Sequence, residues 1–173
     1  MAKCINRSGL IFLLLLQILF AEKAGATYWC LTGRSPGSVT GNVSYGSSIN
    51  WSQPNRSIGS DDLYSKASVK SGEISKYLED KDFSFSIPSD ATVSGVVVYI
   101  ERKADAGSDI RDYSIRLEIN GSVVGTDHGT GNSVWSSTEG VYQYGGSDDS
   151  WGLTLTPSDV NSSTFGVLDR KST

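Results

Sequence analysis

Residues 82–103 read DFSFSIPSDATVSGVVVYIERK, and this block limits the fold more than any other stretch of the chain. Phe83, Phe85 and Ile87 alternate with Ser84 and Ser86 until Pro88 stops the run. Period-two alternation gives one apolar and one solvated face, which predicts a strand of a sandwich or barrel. A turn at Pro88-Ser89-Asp90 leads into a longer run that leaves through Glu101-Arg102-Lys103. There Val96, Val98 and Ile100 share one face, and Val97 and Tyr99 share the other. Apolar residues on both faces predict a central strand.

The same reading extends along the chain. Residues 111–119 alternate cleanly, with Tyr113, Ile115, Leu117 and Ile119 on one side and Ser114, Arg116 and Glu118 on the other. Asn120-Gly121 then predicts a type I′ hairpin, whose two central residues both need positive φ. Further strands are expected at 39–45, 63–69, 75–78, 141–144 and 151–155. Ile74, Tyr77 and Leu78 also fit a helical spacing, but their β neighbours favour a strand. Thr156-Pro157 predicts one helical turn, with Thr156 as cap and Pro157 at the first helical position. A last strand starts at Phe165 and runs straight into Asp169-Arg170-Lys171-Ser172-Thr173. That end predicts a sandwich lacking its final strand and carrying an open edge.

Residues 1–26 read as an export leader. Lys3 and Arg7 precede an 11-residue apolar core, LIFLLLLQILF, and Ala24-Gly25-Ala26 offers a small-x-small cleavage site. A core of that length is too short to span a bilayer, which takes about 20 residues, so a signal peptide is favoured over an anchor. Its removal leaves 147 residues, enough for one domain with a real core. It also takes Lys3, Arg7, Lys23 and Glu22, moving the net charge from −4 to −6. An acidic chain without a basic stripe argues against nucleic acid and against anionic lipid as partners. Cys30 is then the sole cysteine, so no internal disulfide is available and packing must stabilise the fold. Residues 27–60 read as an irregular lead-in and 61–173 as the sandwich domain.

Three segments carry a resemblance: FSFSIPSDATVSGVVVYIERKA, RLEINGSVVG and YGGSDDSWGLTLTPSDVNSSTFGV. With the intervening sequence, roughly residues 35–167, the chain resembles a family of β-sandwich domains found in bacteriophage structural proteins and in secreted bacterial proteins. The resemblance implies a fold and a surface setting. It implies no active-site residues, since none are established for that family, and the family continues past the FGV element into another strand.

Candidate chemistry is sparse. Asp148 and Asp149 sit in the oxygen-rich turn Gly146-Ser147-Asp148-Asp149-Ser150 and are the candidate calcium ligands. Calcium needs six to eight oxygens, and aspartates in such turns also serve by capping their own backbone. No cofactor is expected apart from calcium at that turn. Asp61-Asp62, Asp105, Asp109 and Asp112 read as turn formers rather than as a glycosidase pair. His128 is the only histidine, no G-x-S-x-G elbow occurs, and one His with one Cys cannot make a zinc site; His128 reads as a solvated loop residue. Trp135, Trp151, Tyr142 and Tyr144 are candidate ligand-binding residues, because flat rings stack on sugars and anchor interfaces. The competing reading is that they and Trp51 fill the ends of a sandwich core.

The resulting expectation is an all-β, antiparallel, jelly-roll-like sandwich that acts as a non-enzymatic exported module, structural or adhesive, at a cell or phage-particle surface. One alternative is a carbohydrate-binding module built on those aromatics. Another is an accessory domain of a larger secreted enzyme. The expected partner is a surface polysaccharide or another protein chain, with no membrane insertion after cleavage.

Overall fold

A computed structural model describes residues 34–59, 62–129 and 133–173, together with the backbone of 15–21. Cys30, Asp61 and most of the leader lie outside the described residues.

The fold is an all-β antiparallel sandwich. Strands β1 (Leu15–Ala21), β6 (Thr92–Arg102) and β9 (Gly140–Gly145) form one sheet in the order β1-β6-β9. Strands β2 (Ser38–Val43), β5 (Tyr77–Lys81), β7 (Arg111–Ile119), β8 (Ser122–Val124) and β10 (Gly166–Ser172) form the other, in the order β2-β5-β10-β7-β8. Two short strands, β3 (Trp51–Ser52) and β4 (Lys66–Ala67), pair with each other. Only this two-residue piece of the strand expected at 63–69 forms. β2 pairs with β5, so the lead-in supplies a strand to the main sheet rather than preceding it.

β6 is central, with a neighbour on each side, as its two apolar faces require. Asn120 and Gly121 take φ values of 52° and 76° and close the β7–β8 hairpin. Helix α1 (Pro157–Asn161) begins in a full capping box, in which Thr156 and Asp159 each satisfy the other's backbone amide.

Four local expectations are corrected. The 83–87 run alternates in burial, with Phe83, Phe85 and Ile87 inside, yet forms no strand. Asp82 and Ser84 adopt φ of 59° and 53°, which breaks the ladder geometry. The Asn161 side chain takes the place of a neighbouring strand, donating to Ile87 O and accepting from Ile87 N, both at 2.8 Å. Residues 151–155 likewise form a turn, because Trp151 sits at φ 56°. In β7 an irregularity between Arg170 and Lys171 of β10 sets Lys171 opposite Asp112 and leaves Tyr113 out of the inward row, 44% exposed. Finally, β10 is not an edge. It runs to Ser172 and pairs with β5 on one side and β7 on the other, so the expected open edge does not lie there.

The core gathers Phe83, Phe85, Val96, Val98, Ile115, Leu117, Trp151, Phe165 and Val167 between the sheets. Each large side chain so buried contributes about 1.5–3 kcal/mol. Trp151 is fully buried, and its Nε1 donates to Val96 O at 2.9 Å. Gly145 makes room for it: a Cβ there would come within 2.6 Å of Trp151 Nε1 and 2.3 Å of Val96 O, at a φ of 73°. Gly145→Ala is therefore expected to destabilise by at least about 2 kcal/mol through overpacking and a strained φ. Urea unfolding measures this as a lower midpoint with an unchanged slope.

Candidate functional site: an ionic cluster buried between the sheets

The inward row of β10 is Val167, Asp169 and Lys171. It changes from apolar to charged along one strand. Val167 lies beside Leu117, Asp169 beside Ile115 and Leu78, and Lys171 beside Asp112. Opposite, the inward row of β6 ends in Arg102 after Val96, Val98 and Ile100. Two cations and two carboxylates thus meet at one end of the sandwich, all less than 9% exposed.

Each charge has partners. Arg102 Nη2 lies 3.3 Å from Asp112 Oδ2, and Lys171 Nζ lies 2.6 Å from Asp169 Oδ2. Asp112 also accepts from Trp135 Nε1 at 3.0 Å and from the Tyr144 hydroxyl at 2.9 Å. The Arg102 guanidinium sits 3.8 Å above the Tyr142 ring and 4.6 Å above the Trp135 ring. Its Nε and Nη1 have no hydrogen-bond acceptor and face these π-systems instead. Lys171 Nζ is clamped between indoles, 3.7 Å from the Trp135 centroid and 4.8 Å from that of Trp51. Trp51 is fixed in turn by its Nε1, which donates to Lys76 O at 2.7 Å. The Trp135 backbone N–H donates to Ile110 O at 2.8 Å and ties its loop to the start of β7.

Burial governs the electrostatics. It pushes the Asp169 carboxyl up and the Lys171 amine down, while their mutual contact opposes both shifts. Burial and the Asp112 charge push the Tyr144 hydroxyl up, so it remains a donor. Asp80, inward on β5, is raised to about 7 by burial and then by Asp169 and Glu79, although it accepts a 2.6 Å hydrogen bond from Ser57 Oγ. Charges this well enclosed and paired fix a packing arrangement between the sheets.

The opposite face of the five-stranded sheet is polar as well. Burial and then the neighbouring Glu79 carboxylate raise Glu118 to about 7. Glu79 is itself held down against burial by the hydrogen bond from Lys81, 2.8 Å away, and by those with Glu118 and Thr40. Beside them an open groove of about 220 Å³ is lined by Tyr45, Tyr77, Ser114, Arg116, Asp127 and Arg170. Burial opposes the Asp127 charge, but hydrogen bonds from Ser114, the Gly129 and Ile115 amides and Arg116 hold its carboxyl below the ordinary range.

The sequence-predicted residues fall into two groups. Trp135, Tyr142 and Tyr144 do converge, but inward on Arg102, with Trp135 8% and Tyr144 9% exposed. Trp151 lies in the main core, which Tyr144 joins and Tyr142 packs against, and makes no contact with Arg102 of the kind the other three make. They form no exposed stacking row, because Arg102 and Asp112 draw the rings between the sheets. Asp148 and Asp149 do not converge on other acids. Asp149 accepts from the Trp151 amide at 2.8 Å and lies 3.2 Å from His128 Nε2, while Asp148 is exposed. Among the described residues no group of three or more His, Cys, Asp or Glu could hold a metal ion. His128 is not simply solvated: its ring meets Trp151 edge-on at 4.2 Å.

Arg102, Asp169, Lys171 and Asp80 were not legible as a set. The available signal was period two: in GVLDRKS and VVVYIER a charge falls in register with the inward apolar residues.

Comparison with protein-family models, with curated proteins and with solved structures finds no match. Among the described residues no helix is long and apolar enough to cross a membrane.

Proposed function

We propose that the chain is a non-enzymatic exported module with a structural or adhesive role at a cell or particle surface. One observation supports this above the others: the aromatic and charged side chains best suited to ligand chemistry are spent on each other inside the protein. Arg102, Asp112, Trp135 and Tyr144 form one connected set between the sheets. A structural module gains from such a set because it rigidifies one end of a sandwich whose described residues include no cysteine.

Intrinsic tryptophan fluorescence tests the reading. The exported domain is expected to emit in the blue and to stay unchanged through titration with a panel of soluble polysaccharides. A saturable shift with one polymer would overturn it in favour of sugar binding at the indoles.

The carbohydrate-binding alternative has one specific support, on the outer groove rather than at the tryptophans. Tyr45 lines that groove 47% exposed and meets Tyr77 edge-on at 5.5 Å, beside the hydrogen-bonding groups of Arg116 and Asp127. Affinity electrophoresis in polysaccharide gels discriminates the two: a sugar site there predicts retardation that Tyr45→Ala abolishes.

A further inference from the structure

Strand β6 is paired on both sides, but its two neighbours differ in kind. β9 covers it from Val97 to Arg102, and β1 covers it from Thr92 to Tyr99. β1 is the segment LLQILFA, which belongs to the apolar core of the export leader. A leader cut after Ala26 carries β1 away and leaves one side of β6 without a partner. The exposed stretch, TVSGVVVY, contains no charge and no proline. Edge strands that persist in solution are normally blunted by lysine, proline or a covering element. This one carries neither lysine nor proline between Thr92 and Tyr99, which is the make-up of a strand meant to be covered.

We propose that the β6 edge of the exported protein is a strand-acceptor site, filled by an extended apolar segment of a partner chain running antiparallel to β6. The inference rests on the export reading of residues 1–26. β1 itself displays what the edge accepts: seven apolar-rich residues, from Leu15 opposite Tyr99 to Ala21 opposite Thr92, with one irregularity between Leu19 and Phe20. Backbone hydrogen bonds supply the affinity in such strand addition, and alternate side chains supply the selectivity. In the precursor the leader holds the site closed, so the edge opens only once the chain has been exported.

The test uses the full chain expressed in a secreting host, with the mass of the exported product read first. The probe is a synthetic LLQILFA peptide with terminal lysines, and its control carries the equivalent of Ile18→Pro. Cleavage after Ala26 is expected, and the cleaved protein is expected to be monomeric with rapid amide exchange over residues 92–99. Addition of the peptide should slow that exchange by at least about tenfold, and the proline control should leave it unchanged. Cleaved protein whose 92–99 amides are already slow as a monomer, or that ignores the peptide, overturns the acceptor site while leaving the export reading standing. Slow exchange in a dimer overturns it in favour of edge pairing with a second copy. An exported product that retains residues 1–26 overturns the export reading and the acceptor site together, since β1 is then a permanent strand.

Discussion

Arg102→Ala is expected to lower the unfolding free energy by about 3–5 kcal/mol, the cost of breaking a buried ion pair by removing one partner. Asp112 would keep its two hydrogen bonds from Trp135 and Tyr144 but lose the cation that balances its charge. The Tyr142 and Trp135 rings would lose the guanidinium packed 3.8 and 4.6 Å from their centroids. Arg102→Lys should recover only part of the loss, because an ammonium cannot lie flat between two rings and reach a carboxylate at once. A paired change, Arg102→Met with Asp112→Asn, should cost less than Arg102→Ala alone, because no charge is left stranded while Asn still accepts from the Trp135 indole. Chemical unfolding of the four proteins decides the matter. If Arg102→Ala lost less than about 1 kcal/mol, the value of an ordinary surface pair, the cluster would not be a structural element of the fold.

This cluster also marks where the sequence stopped being readable. Strand periodicity located β6, β7 and β9 within a residue or two, and the capping and hairpin signals at Thr156 and Asn120-Gly121 are local chemistry that tertiary contacts do not override. The errors share a cause. Phe83 and Phe85 are buried alternately, as their spacing dictates, but positive φ at Asp82 and Ser84 is invisible in a pattern of hydrophobicity. At the end of β10, DRKS reads as a solvated tail because Asp, Arg and Lys are seldom buried. Pairing on both sides places it at the centre of the sheet, and Asp169 and Lys171 tolerate that position only because each neutralises the other. The aromatics stand out in the sequence, and the choice between surface platform and core depends on Arg102. Its charge at the end of an apolar strand read as the strand leaving the core.

Asp80 gives the fold an inverted pH dependence. Its folded carboxyl is raised to about 7, mainly by burial, against an ordinary value of 3.8. Between those values the native protein holds a proton that the unfolded chain has released, so stability falls as pH rises from about 4 to 7 and then levels. At about 1.36 kcal/mol per pH unit, the step from pH 5 to pH 8 costs about 3 kcal/mol from this one group. For a chain of this size that corresponds to a drop in Tm of roughly 6–12 °C. Glu118 and Asp169 are raised by burial as well and act in the same direction. Lys171, lowered by burial, works the other way at alkaline pH, where the unfolded chain binds the proton that the native amine has lost. Glu79 and Asp127 are lowered, so their contribution is present above the ordinary carboxylate range and disappears on acidification, which sets the acid limit. The expected profile therefore peaks at about pH 4 or below, under the neutral range in which most domains are most stable. Asp80→Asn keeps an acceptor for the Ser57 hydroxyl and removes the ionisation. It should raise Tm at pH 8, change it little at pH 5 and flatten the slope between them. Calorimetric scans of both proteins at pH 5, 6, 7 and 8 separate the possibilities: a wild-type Tm that rises across this range, or a slope that Asp80→Asn leaves unchanged, means that Asp80 is ionised in the fold, whereas the part of the slope that remains after the substitution belongs to Glu118 and Asp169.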